Sequence, residues 1–536
     1  MTDWFKTRSI LDWFRLLLVF ALVLAGGTDV LFSQYVRRFS FRNEHERRLH
    51  YALDDWVSFT KARRITSVTM GTQYIYFSSL DGGILRYHLY EEHWDYPFTT
   101  SNGLPENEVY NVIYDPETSL LWAITRRDTA VFDAARQEWI SRSQVGYWPY
   151  RFPRISAPDT GKQIQVNRFY DARFLKLLPM FFANGPYTIT GDWMLVDPFF
   201  REFPIIGFLK DEWDRIWFLV DKFGIGLGQL YSARADFFAL GLSDIYPQAL
   251  AFQGDDLWIG GLWQRMDRPG IVHWRNHDGG WEYFEARWIS QLPSDEVTAI
   301  QVDGDSVWFG TRYGVSVYDT YRDRWFNFNL VHGLWSNQVN DILLLGDELF
   351  VATDQGINAI DTRTGLVKRV TDKRLRNISI NRFARQNDTL WVATNRGIFR
   401  RVPNPPRWEF VPSQAALSDV YITAVGSFGS EVWFSTPSGI MWLDVRTGRW
   451  ESFPQIGMEI KGRMRDIKVN QQSVWVATEE GLLKYDKKRR YWRLYTTNDG
   501  LLDNYCHFVL LDGDYLWVAT NSGITQFYWN NPARID

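Results

Sequence analysis

Apolar and polar positions alternate in a repeating order along most of the chain, most clearly from Val297 to Phe328. That stretch reads V-T-A-I, a short turn, V-W-F-G-T, a two-residue turn, G-V-S-V-Y-D, another turn, and W-F-N-F. Each piece is a short run of β-branched and aromatic residues bounded by Gly, Asp or Asn, the composition of strands and tight turns. The 3.6-residue stripes of an amphipathic helix are missing from this region. With Trp308 as origin, equivalent residues fall at Phe350, Trp391, Trp433, Trp475 and Trp517, in steps of 42, 41, 42, 42 and 42.

The marks around each origin recur. An apolar residue lies eight positions before it at Ile300, Ile342, Phe383, Val425 and Ile467. A Thr lies three after, at Thr311, Thr353, Thr394, Thr436, Thr478 and Thr520, and a Gly six after, at Gly314, Gly356, Gly397, Gly439, Gly481 and Gly523. Asp319, Asp361, Asp444 and Asp486 begin the next turn, and Trp325, Trp408, Trp450 and Trp492 mark a fourth strand. Four antiparallel strands per ~40–45 residues is the pattern of a propeller blade. The same grammar places earlier blades on Tyr76, Trp122, Trp217 and Trp258, and a degraded blade on Phe174, Phe182, Trp193 and Phe200 to Phe203.

The predicted fold is all-β: a β-propeller of about 10–11 four-stranded blades over residues 54–536, with an irregular segment at 140–205. Propellers usually hold ~4–8 blades, so the chain forms two rings or one large ring. Trp56-Val57-Ser58-Phe59 reads as a fourth strand with no blade before it, and the last blade lacks a fourth strand. The N-terminal strand is therefore expected to close the last blade, which removes two exposed edges.

Three stretches carry a resemblance. They are Gly103-Leu104-Pro105-Glu106-Asn107-Glu108-Val109, Gly333-Leu334-Trp335-Ser336-Asn337-Gln338-Val339 and Gly500-Leu501-Leu502-Asp503-Asn504. With the L-W-x-G-T-x-x-G marks they resemble the two-component-regulator propeller repeat. In that family such repeats form the extracytoplasmic sensor part of membrane histidine kinases. The resemblance implies a sensor-type propeller outside the cytoplasm. No kinase follows the last blade here, so signalling by this chain alone is not expected.

Composition narrows the function classes. The chain is 45% hydrophobic and 17% aromatic with 27 Trp, enough for sheets packed face to face. A net charge of −4 gives no reason to expect nucleic acid. The single cysteine, Cys506, excludes an intramolecular disulfide framework and reads as a small buried hydrophobe. Residues 1–34 differ from the rest. Lys6, Arg8 and Arg15 precede an apolar run from Leu16 to Ala25, followed by Gly26-Gly27. That is the shape of a secretory signal, short for a membrane span. The segment is expected to be a signal peptide or an uncleaved anchor, giving a periplasmic or extracellular protein. Membrane contact is expected only through that segment. Residues 35–53, rich in Arg and Glu, are expected to be a solvated lead-in.

Candidate chemistry is sparse. His273 and His277 lie four apart, but on a strand end, where that spacing puts no two imidazoles on one face. No metal site and no cofactor is expected. Asp303-Gly304-Asp305 and Asp512-Gly513-Asp514 read as hairpin turns rather than calcium loops. Gly224-x-Gly226-x-Gly228 lacks the helix that a nucleotide loop needs. Asp444 to Trp450 echoes the docking motif of quinoprotein propellers imperfectly and reads as another turn. No catalytic constellation is found. The variable residues between the repeated Thr and Gly offer a binding face instead. Arg312, Tyr313 and Arg396 would form one arc and Glu479 and Glu480 another, either as a site or as plain solvated turn tips.

The expected function is an exported, noncatalytic binding or sensor-type propeller. Its partner would be a small molecule, a glycan or an envelope protein. Two alternatives stand beside it: a cell-envelope scaffold, and a polysaccharide-active or quinone-dependent enzyme. A reporter fused behind residues 1–40 is expected outside the cytoplasm; a reporter that stays in the cytoplasm refutes export.

Overall fold

The computed structural model describes residues 47–146, 172–264, 270–276, 279–412 and 421–534. The apolar segment 1–34 and residues 35–46 lie outside the described residues. Among the described residues the strands form ten sheets, nine of them four-stranded and one seven-stranded.

Seven sheets make a closed ring. In chain order the blades span 245–284, 297–328, 339–369, 380–411, 424–453, 464–495 and 506–528, and the inner strand of each packs on the inner strand of the next. The inner strand of the seventh, Cys506–Asp512, packs on that of the first, Ile245–Gln253, and completes the circle. The seventh blade takes its outer strand from the other end of the chain. Trp56–Phe59 pairs antiparallel with the strand Gly523–Tyr528, Trp56 opposite Phe527 and Phe59 opposite Ile524. The expected closure is therefore present.

The two open ring counts resolve into a third arrangement: one ring, interrupted in sequence by three more blades. These span 65–98, 109–141 and 202–239. The third packs against the first, where Tyr87 meets Trp217 at 4.8 Å, and the first against the second. The degraded blade is not a separate sheet. Phe182–Ala183 adds in parallel beside Arg234–Ala239, and Thr188–Ile189 with Met194–Val196 extends the opposite edge beyond Glu202–Lys210. Strands of two or three residues cannot bury a face alone, so they add to an existing sheet.

The repeated residues have structural reasons. Each Thr closes the turn that follows it: its hydroxyl donates to the carbonyl of the repeated Gly, at 2.9 Å for Thr311 and Gly314 and 2.7 Å for Thr478 and Gly481. The same oxygen accepts the N–H of the tip residue, as for Tyr313 at 3.0 Å and Glu480 at 3.1 Å. Gly314 sits at φ 107° in the left-handed region, and a Cβ there would strike the carbonyl of Phe328. The Asp marks accept backbone N–H groups of the next turn, Asp319 from Arg322 and Asp486 from Arg489. In the Gly-Leu-x-x-Asn stretches the Asn side chain accepts the N–H seven residues earlier, from Thr100, Leu330 and Thr497, each at 2.8 Å. Gly226 and Gly228, by contrast, lie beneath Phe237 and Phe181, so small residues there serve close packing.

Among the described residues neighbouring blades share no strand ladder beyond a single bridge between Gly261 and Glu296, and polar side chains of the inner strands join them. Thr298 donates to the Val339 carbonyl at 2.9 Å, Asn340 to Ile380 at 2.8 Å and Asn381 to Ile422 at 2.6 Å. Asp341 accepts the N–H of Phe383 at 2.7 Å, and Asp466 that of Val509 at 3.1 Å. Thr66 and Ser67 make the same links to Val109 and Val112 in the inserted blades.

One expectation for the lead-in is corrected. Arg47 is not solvated. It is buried in a two-pronged pair with Asp499, at 2.7 and 2.9 Å, and donates to the Leu494 carbonyl. A charge leaves water only where its partners replace the lost hydration, as Asp499 does here. Arg534 pairs with Asp55 at 2.9 Å on the same seam.

The closing strand predicts its own test. Trp56 is 1% exposed and stacks on Phe527 at 3.8 Å. Trp56→Ala is expected to cost about 3–5 kcal/mol, as large-to-small core substitutions do. Urea denaturation measures the loss, and hydrogen exchange is expected to rise first at 506–528. Unchanged exchange there would show that the seam does not depend on this strand.

Candidate functional site

The insert leaves and re-enters the ring at one place. Leu242 N–H donates to the Thr60 carbonyl at 3.0 Å, and Lys61 bridges to Gly241 in antiparallel fashion. Asp244 holds Lys61 at 2.8 Å and Arg63 at 3.8 Å across the same crossing. The insert's outer strand His93–Phe98 then faces ring strands Ile271–Arg275 and Gly280–Phe284. Two cavities of about 580 and 640 Å³ occupy this seam and share Trp94, Leu240, Gly279 and Trp281 in their walls. They form one groove of two chambers between ring and insert.

Aromatic rings wall the first chamber. Trp274 and Trp281 stack at 5.5 Å, Phe59 tilts onto Trp274 at 4.8 Å, and Tyr96 meets Phe59 edge-on at 6.2 Å. Trp274 and Trp281 are directly opposite each other on paired antiparallel strands, so both side chains fall on one face of that sheet. Phe59 is also the end of the closing strand, so the wall and the ring closure share a residue. The rim carries Glu91, Glu92 and Asp95. Each faces a base: Glu91 meets His93 at 3.6 Å, Glu92 meets Arg215 at 3.2 Å and Asp95 meets Arg86 at 3.3 Å.

The second chamber is more polar. Arg201 spans it, pairing with Asp197 of the insert at 2.6 Å and with Glu285 of the ring at 2.8 Å. Phe199 stacks on Trp288 beside it at 4.6 Å. Insert and ring are thus joined on both sides of the groove, by paired backbone at the crossing and by an ion pair with stacked rings at the far side.

The sequence pointed elsewhere, to turn tips on the face of the ring. Arg312 lies 3.8 Å from Glu296, and Tyr313 and Arg396 are exposed. Glu479 accepts from Arg465 at 2.7 Å, from the Tyr505 hydroxyl at 2.7 Å and from Arg463 N–H at 3.1 Å. Glu480 accepts the Lys461 N–H at 3.2 Å. No hydrogen bond or ion pair joins any two of the five among the described residues; they share a face and not a pocket. His273 stacks on Trp258 at 4.1 Å and bonds Glu282 at 3.2 Å, while His277 lies outside the described residues. Among the described residues no group of three His, Cys, Asp or Glu is placed to hold a metal ion. Cys506 is buried, which raises its thiol pKa and keeps it protonated. The groove residues were missed because they come from separate repeats and from the insert; the unusual density of Trp in 274–281 was the available signal.

No family model matches the chain, and no curated protein matches it. Solved structures do. The extracellular domain of the hybrid two-component system BT4673 from B. thetaiotaomicron is 14% identical over 86% of this chain and 70% of that one, with a TM-score of 0.43. The corresponding domain of BT3049 from the same organism is 17% identical over 85% of this chain and 60% of that one, TM-score 0.43. PorZ, a surface component of the type-IX secretion system of Porphyromonas gingivalis, is 12% identical over 88% and 87%, TM-score 0.32.

Near the Glu479 cluster, His507 supplies a pH test. Its Nε2 faces Asn521 at 2.7 Å, and burial, first of all, pulls its pKa down from 6.5 to about 4. As pH falls below 6.5 the unfolded chain takes a proton that the folded protein refuses, so stability drops until about pH 4. His507→Gln is expected to flatten the fall in Tm over that window. An identical fall in parent and variant would assign the pH dependence to other groups.

Proposed function

We propose that the protein is an exported, noncatalytic binding propeller that holds a neutral carbohydrate in the groove between ring and insert. The single observation that supports this is the aromatic wall of Phe59, Trp94, Trp274 and Trp281 beneath a rim of carboxylates. Indole faces take the C–H faces of a sugar, and carboxylates accept its hydroxyl protons. A cationic ligand would gain less, because Glu91, Glu92 and Asp95 already face bases. The same pairing suits these carboxylates to orienting hydroxyls rather than to moving protons. The signal-like composition of residues 1–34 and the resemblance to sensor-type repeats support a receptor outside the cytoplasm.

Tryptophan fluorescence, titrated with a panel of neutral oligosaccharides, tests the proposal. At least one sugar is expected to give saturable quenching or enhancement, weakened about tenfold or more in Trp281→Ala, the loss expected of an aromatic anchor. Binding unaltered in Trp281→Ala and Trp274→Ala would put the site elsewhere. Hydrolysis of a bound sugar would revive the enzymatic alternative.

A further inference from the structure

We infer that the turn face of the third and fourth ring blades carries a separate oxyanion site, centred on Arg369 and Arg376. The two arginines share one indole. The Arg369 guanidinium lies 4.7 Å from the Trp335 ring centroid and that of Arg376 lies 5.3 Å from it. Arg369 is further fixed by donating Nε to the Gly333 carbonyl at 2.8 Å and Nη2 to Leu334 at 3.1 Å. Its Nη1 edge is left for a ligand. Neither arginine bonds a carboxylate among the described residues. Two guanidinium groups held around one ring, with no carboxylate bonded to either among the described residues, are arranged for an anion that is not part of the fold.

The surroundings strengthen the case. Residues 361–410 contain twelve Lys and Arg against four Asp and Glu, although the whole chain carries a net charge of −4. The nearby carboxylates are engaged: Asp372 accepts both prongs of Arg374, and Glu409 bridges Arg400 and Arg407. Asp354, on the adjacent tip, is the exception: its Oδ1 is buried with no hydrogen-bond partner among the described residues, and it bonds neither arginine. The loop carrying Lys373 and Arg376 is bound to the tips on both sides, through Asn377 N–H to Gln355 at 3.0 Å and Asn395 N–H to Ser379 at 3.0 Å. Arg396 follows Asn395 directly, and Arg396 and Lys373 are exposed without carboxylate partners among the described residues. A rigid surface thus presents four cations, two of them oriented by an aromatic ring.

The chemistry that fits is a phosphate-type oxyanion. Its three or four tetrahedrally disposed oxygens and higher charge accept from several guanidinium forks approaching from different directions, which the two coplanar oxygens of a carboxylate do less well. Stacking on Trp335 covers guanidinium faces and leaves N–H edges outward, which lowers the ordering cost of binding.

Calorimetry of the full chain with inorganic phosphate at constant ionic strength is the first arm. Flotation with phosphatidylglycerol vesicles, against phosphatidylcholine vesicles, is the second. Saturable phosphate binding, weakened about tenfold in Arg376→Gln and partly retained in Arg376→Lys, supports a site for a free or small-molecule phosphate. Flotation with the anionic vesicles alone, lost in Arg376→Gln, places the same chemistry on a lipid headgroup. Lys488→Gln, on the sixth blade, is expected to change neither. The inference is overturned if the parent binds in neither arm, or if Arg376→Gln and Arg369→Gln, folded and melting like the parent, bind as the parent does.

Discussion

The rest of the molecule depends on four residues, Trp56 to Phe59, completing a sheet whose other strands lie more than 440 positions later. A circular stack of blades has no edge only when its last member is whole. By supplying the missing strand from the chain's start, the protein couples both ends of the sequence. Trp56 fills the core of the seventh blade, while Phe59 faces the first blade and the groove. Flanking pairs, Arg47 with Asp499 and Arg534 with Asp55, bury charge at the seam, where losing one partner would strand the other.

Between seams the blades cohere by a different device. Large aromatics fill the space between sheets: Trp258, Trp391 and Trp475 are fully buried. That packing is strong but not directional. Direction comes from the inner strands, where Thr298, Asn340, Asn381, Asp341 and Asp466 each reach the next blade's backbone. These links satisfy strand groups that no neighbouring ladder can, and they fix how far each blade is rotated from the last.

Much of this was legible in the sequence, because a repeat states its local rules many times. The Thr and Gly of each turn, the Asp of the next and the closing strand are all short-range or end-to-end signals, and all reappear as hydrogen bonds or pairings. The segment 172–205 was not legible, since its strands of two or three residues gain meaning only beside Glu202–Lys210 and Arg234–Ala239. The groove was hidden for a related reason. Phe59, Trp94 and Trp281 are each ordinary strand aromatics in sequence, and only the docking of the insert turns them toward one space. Glu479 shows the reverse case: its place at a variable tip suggested a ligand, and the fold shows what no repeat could, that its carboxylate accepts from Arg465 and Tyr505.

The paired crossing at Thr60–Lys61 and Gly241–Leu242 makes the three inserted blades a graft. Their entry and exit are adjacent, so the ring perceives about 180 residues as one surface loop. The entropy of closing such a loop grows only with the logarithm of its length, each doubling adding about 0.6 kcal/mol. Lineages could therefore lengthen, trim or exchange the graft while the ring, complete in its own seven blades, keeps its geometry. One wall of the groove would then be inherited with the ring and the other redrawn, which gives a fixed scaffold a route to new specificities.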